Sequence, residues 1–298
     1  MAELNVSIAR HHRYLVVEVS PFASETEALE FLPLVKAGLW NLAIEHNIAF
    51  DPDFNVREIT RAEDPEAAGK NIGESFGIPD IGPVHGLADE GGTTVYPSDE
   101  TIRFMGFGDV SFRVSTSLDK ATRTLKHGME RGSVGNVDNG ITTAADLYLS
   151  HFYETTLRAR FLTLMTVLEV LAPVTQKHPL ARAMIERWKL EVQRQLNDPM
   201  ESESRDALEA LDRELEFRKE TSIRRRIRRL VLDTAPLEES ARKELAKEVV
   251  DAYDLRGSLV HSGAIGDAEL HAAYEVALST AKLLLRVKLG LIEQAGSI

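Results

Sequence analysis

DLYLSHFYETTLRARFLTLMTVLEVL, residues Asp146 to Leu171, is the stretch on which the fold turns. Phe161, Leu164, Met165 and Leu168 recur at three- and four-residue spacing, which is the period of a helix and not of a strand. Pro173 lies just beyond, where a missing N–H and a fixed φ end a helix. The stretch predicts one long helix over 146–171, and the chain continues in the same manner. A second helix is expected over Leu180–Leu196, and one or two more from Ser204 to about Leu232, broken at Pro236. Leu237–His261 follows, terminated by Gly263, and Asp267–Gln294 closes the chain. Long amphipathic segments with short Pro- or Gly-marked connections predict a mainly antiparallel helical bundle. There is no internal repeat and no low-complexity tract.

Upstream the pattern changes. Tyr14–Val19 (YLVVEV) is short and β-branched, a strand signature. Ser24 stands three residues before Glu27, the spacing of a capping box, and opens a helix to about His46 through Leu29, Leu32, Val35, Leu39 and Leu42. Seven glycines between Gly69 and Gly92 predict an irregular segment, either a mobile loop over a ligand or plain irregular structure. Thr101–Ser115 alternates on both sides of Gly106–Asp109 and reads as two strands around a turn. The glycine-punctuated GSVGNVDNG, Gly132 to Gly140, then marks a boundary. A length of 298 residues suits two domains. We place a mixed α+β domain over 1–140 and an all-α bundle over 141–298.

Composition narrows the function. The chain has no cysteine, which removes disulfides, thiolate metal sites and cysteine nucleophiles together. The longest apolar candidate, Phe161–Val174, is short and carries Glu169, so no membrane helix is expected. Glu3, Arg10, His11, His12 and Arg13 leave no apolar signal-peptide core, and the expectation is a soluble, cytoplasmic protein. Net charge is −12, most of it before residue 141. An acidic chain is a poor general nucleic-acid binder, so any such contact belongs to the second half. There Arg224, Arg225, Arg226, Arg228 and Arg229 cluster. They form either an RNA-tracking surface or a solvated face answering Glu214, Glu216, Glu220 or the acidic N-terminal half. Phosphate-loop, serine-hydrolase and zinc-protease motifs are absent, and Gly106-Phe-Gly108 reads as a turn and not a dinucleotide fingerprint. His11 and His12 are neighbours that point apart on a strand, and no metal or other cofactor is expected.

The strongest local signal is Tyr253–Gly263, YDLRGSLVHSG, in which Arg256 and His261 stand as Arg-x4-His. This resembles the R-x4–6-H motif of the HEPN superfamily, and its Apea-like branch in particular, where a tyrosine precedes the arginine and a glycine follows the histidine. Ala159–Leu171 is similar to that branch's first helix, apolar nearly all round with one glutamate, here Glu169. The resemblance covers about 141–298 and leaves 1–140 unassigned. It implies a HEPN-like helical bundle, a homodimer with two motifs facing across a cleft, and a metal-independent endoribonuclease of the toxin or phage-defence kind. Arg256 would then hold the phosphate and His261 act as general acid/base.

Those residue types suit the chemistry. A histidine titrates near neutrality and can move the proton at a ribose hydroxyl or leaving oxygen. A forked, permanently charged guanidinium stabilises the crowded phosphorus. Five residues apart on a helix, however, the two side chains diverge by about 140°. His261 also falls in a last helical turn, where the dipole favours its protonated form. The alternative has Arg256 paired to Asp254 or Asp251 and His261 capping carbonyls. Glu169 closes a polar stripe with Thr163 and Thr166; it either orients Arg256 or faces water. Tyr253 offers a hydroxyl or a stacking ring, or is a core tyrosine. Catalytic relatives usually place a polar residue directly after the arginine, whereas this chain has Gly257. That departure sustains a second expectation, a non-catalytic HEPN-like dimer binding RNA, a nucleotide or a protein partner. In either case the N-terminal domain would sense a ligand or bind a partner.

Overall fold

Valine and isoleucine alternate in Asn5–His11 (β1) and Tyr14–Ser20 (β2), which pair antiparallel with Val6 opposite Val19 and Ile8 opposite Val17. In this computed structural model the described residues are 5–11, 14–48, 55–79, 81–89, 91–105, 117–131, 138–263 and 265–292, with backbone alone at 9–11, 14–15, 105, 261 and 262. The chain divides into two compact units, Met1–Tyr153 with Lys288–Ile292 and Glu154–Val287 with Glu293–Ile298. Helices predominate, with small sheets in the first unit.

In that first unit α1 (Glu25–His46) starts as its sequence predicts: Ser24 Oγ accepts the Glu27 N–H at 3.2 Å, and Glu27 accepts the Ala23 N–H at 2.6 Å. α1 crosses α3 (Leu118–Arg131) where both present glycine. A Cβ on Gly128 would come within 2.9 Å of Gly38 Cα and 3.1 Å of the Ala37 carbonyl. This close approach closes a core of Ile8, Leu42, Ala121, Leu125 and Met129.

The glycine-rich stretch is not irregular throughout. It contains most of α2 (Pro65–Phe76), capped by Asp64, and β4 (Gly86–Asp89). Gly69 and Gly73 are one turn apart on α2. A Cβ at Gly69 would overlap the Gly82 carbonyl, and one at Gly73 would sit 2.7 Å from that of Ile78. These glycines serve backbone packing, and so the expectation of an irregular segment is corrected. β4 pairs antiparallel with β3 (Thr60–Arg61) and parallel with β5 (Ile102–Met105). β5 fills the first strand expected in 101–115; the turn at Gly106–Asp109 and the second strand lie outside the described residues.

The single helix expected over 146–171 is two helices. α4 (Asn139–Ser150) buries Ala144, Ala145, Tyr148 and Leu149 in the first unit, and Trp40 Nε1 donates to Asp146 at 3.3 Å. A 3-10 turn follows at His151–Tyr153, and α5 (Leu157–Leu171) starts afresh. Thr156 caps it, accepting the Ala159 N–H at 3.2 Å, while Arg160 Nε donates back to the Glu154 carbonyl at 2.8 Å. Apolar spacing persists across this break, which is why periodicity alone runs through it. The division between the units falls at Tyr153–Glu154, past the Gly132–Gly140 segment, of which 132–137 lie outside the described residues.

The second unit continues with α6 (Pro179–Leu196), α7 (Ser202–Phe217), α8 (Ile223–Thr234), α9 (Glu239–Ser262) and α10 (Asp267–Lys288). α6 packs on α7, α8 on α9, and α5 on both α8 and α9. Phe161, Leu164, Met165 and Leu168 of α5 are fully buried, as are Ile227 and Val231 of α8 and Ala246 and Val249 of α9. Gly263 ends α9 at φ +66°, its N–H bonded to the Leu259 carbonyl at 3.1 Å. No helix is long and apolar enough to cross a membrane among the described residues.

Candidate functional site

α5 and α9 cross with Glu169 facing Arg256. Arg256 Nη2 stands 3.5 Å from Glu169 Oε1, with side chains 32% and 23% exposed respectively. Glu169 therefore meets neither bulk water nor a wholly apolar neighbour. Tyr253, one turn earlier on α9, lies under the guanidinium at 5.9 Å from ring centroid to Cζ, a cation–π distance. Burial first, and then the charge of the Glu169 carboxylate, raise the tyrosine pKa above its ordinary value, so the phenol stays protonated. Arg256 Nε is buried without a hydrogen-bond partner, one donor of the fork still unused. An added Cβ on Gly257 would meet nothing within 4 Å, so the helix surface at that position is open.

The pairing of Arg256 with its own helix does not occur. Asp254 instead holds Arg224 of α8 at 2.9 Å. Two residues apart, Asp254 and Arg256 point about 200° from each other around α9, so one faces α8 while the other faces α5. His261 lies in the last turn of α9; its side chain is outside the described residues.

The five clustered arginines take different positions. Arg226 is structural: Nη2 and Nε donate to the Ala172 and Pro173 carbonyls at 2.6 and 2.9 Å, and the side chain is 13% exposed. It satisfies the C-terminal carbonyls of α5 and complements that helix's dipole. Arg229 pairs with Asp233 on its own helix at 3.1 Å. Arg224 is engaged by Asp254, whereas Arg225 and Arg228 have no partner among the described residues. Neither a solvated face nor a uniform RNA track describes them all. Lys243 and Lys247 do not stand out in the sequence. Their four-residue spacing becomes meaningful only once α9 is known to run antiparallel beside α8.

Among the described residues no group of three or more His, Asp or Glu side chains converges as a metal cage would. The chain matches no family model, no curated protein and no solved structure at a significant level.

Proposed function

We propose that the helical unit is a HEPN-like bundle acting as a metal-independent endoribonuclease, with Arg256 binding the scissile phosphate and His261 as general acid/base. The observation that carries this reading is the Glu169–Arg256 contact over the Tyr253 ring. An arginine oriented from a neighbouring helix and about a third exposed is what a phosphate site requires. Glu169 and Tyr253 act through it as positioning residues. Because Arg256 and His261 diverge on one helix, a second copy of the chain would supply the opposing motif, and the active species would be a homodimer.

A second reading is a non-catalytic dimer that holds RNA, a nucleotide or a protein. Gly257, which offers no side chain directly after Arg256, favours it. Cleavage of a labelled mixed RNA pool in EDTA decides between the two. Wild type cuts, and His261→Ala and Arg256→Ala, each shown folded by circular dichroism, lose about a hundredfold or more in rate. If all three proteins are inert, or all three cut alike, the catalytic assignment is wrong.

A further inference from the structure

The α8–α9 pair carries a groove of about 580 Å³ whose chemistry differs from the rest of this acidic chain. Arg224, Arg225 and Arg228 line one wall, and Lys243 and Lys247 the other, against only two lining carboxylates, Glu244 and Asp251. The two helices run antiparallel, as the contacts of Arg224 with Asp254 at one end and of Arg242 with the Leu232 carbonyl at the other require. Both walls therefore face the same trough along its length.

Three of these cations already have company: Arg224 with Asp254, Lys243 with Glu239, and Lys247 with Glu244 at 4.0 Å. Arg225 and Arg228 have none among the described residues, and they are one turn apart on one helix face. Five cations meet four carboxylates here once Glu239 and Asp254 are counted, and Arg225 and Arg228 side by side carry the local positive excess in a protein of net charge −12. Val250 is the one apolar side chain in the lining, and no aromatic ring is among the lining residues. A peptide would find almost nothing there to bury, and a nucleobase nothing to stack upon. A phosphodiester backbone asks for neither.

We propose that this groove binds the sugar–phosphate backbone of single-stranded RNA, without reading its bases. The proposal deepens the ribonuclease reading and rests on it for the choice of RNA as the polyanion. Lys247 and Arg256 are nine residues apart and so face opposite sides of α9, by about 180°. The groove is therefore an exosite: it tethers the chain while a different face of the same helix meets the scissile phosphate.

The test is fluorescence anisotropy of a labelled oligouridylate against the whole 298-residue chain, over a series of salt concentrations. Arg225→Gln/Arg228→Gln is expected to weaken binding at least tenfold at low salt. It should also reduce the slope of log K against log salt by about 1.4, since each phosphate of a single strand that is no longer neutralised lowers it by about 0.7. The charge-matched control Arg205→Gln/Arg213→Gln, on the exposed side of α7, binds as wild type does. An oligoadenylate of equal length binds equally well. The proposal is overturned if the double variant keeps the wild-type affinity and slope, if wild type shows no salt-dependent affinity, or if polyglutamate displaces the RNA as well as a second RNA does. Binding and cutting are read separately: RNA held through the groove but never cleaved removes the ribonuclease reading and leaves the exosite standing.

Discussion

Between α6 and α7 the apolar contact is thin: Ile185, Val192 and Leu215 are buried, with Leu196 and Leu208 partly so. Charge supplies the rest, since Lys189 meets Asp212 and Glu216, and Lys219 meets Glu186 and Glu216. Between α8 and α9 the balance is reversed. Ile227, Val231, Ala246 and Val249 are fully buried against α5, and the charged residues lie along the rim of a groove. The two antiparallel pairs have similar sequence periodicity, but one is tied by its ions and the other by its core. Arg225 and Arg228 of the second pair, which make no ion pair among the described residues, are thereby left available for a ligand.

The largest effect that sharpens this contrast is a cavity in the second pair. Ile227→Ala, at a site with no exposure, is expected to destabilise the helical unit by about 3 kcal/mol, and Ile185→Ala in the thin α6–α7 core by about 2 kcal/mol or less. Urea unfolding followed by circular dichroism measures both. Equal losses would mean that the two cores are not different in kind.

Arg226 is next. Arg226→Ala removes two hydrogen bonds to carbonyls at the end of α5 and should cost about 2 kcal/mol, whereas Arg225→Ala, one residue away, stays within about 0.5 kcal/mol. This pair separates an arginine that holds the fold from one that waits for a ligand. If the two variants unfold at the same urea concentration, the division made within the cluster fails.

What the sequence disclosed and what it hid follow the same line. Apolar spacing and Pro173, Pro236 and Gly263 placed α6, α9, the end of α5 and the start of α10 close to where they lie, because burial enforces that period, and left 204–232 open between one helix and the two that form there. The α4–α5 break was illegible, since α4 ends at Ser150 and Thr156 begins α5 without interrupting the apolar spacing. The glycines of α2 looked like breakers because the carbonyls of Gly82 and Ile78, which need the empty Cβ positions, come from later in the chain. At the site, the Arg256–Glu169 pairing was foreseeable, because a glutamate on a nearly all-apolar helix needs a cation. The distinction between Arg225 and Arg226 was not, as adjacent identical residues differ only in which face of α8 they occupy.

Acid should loosen α6–α7 before α8–α9. Lys189 and Lys219 hold the Glu216 carboxyl down to about 2, from an ordinary value near 4.5. A carboxylate with a depressed folded pKa contributes its full stabilisation above the unfolded value, and that contribution is lost as pH falls from about 4.5 through about 2. The difference in urea midpoint between wild type and Glu216→Gln should therefore shrink between pH 5 and pH 2. A difference that stays constant with pH would show that the lysines do not depend on this carboxylate.

The smallest expected effect falls on the outer face of α6. Leu180, Met184 and Trp188 follow one another at four-residue spacing and are 68%, 40% and 55% exposed, so they form an apolar stripe along the flank of the face that buries Ile185 and Val192. Removing a ring that already faces water forfeits little, and Trp188→Ala should change the unfolding free energy by no more than about 0.5 kcal/mol in the same urea titration. The thin α6–α7 core makes this informative. A much larger loss, growing as the protein is diluted, would mean that a second copy covers the stripe and that α6–α7 draws its stability from association and not from its own ions.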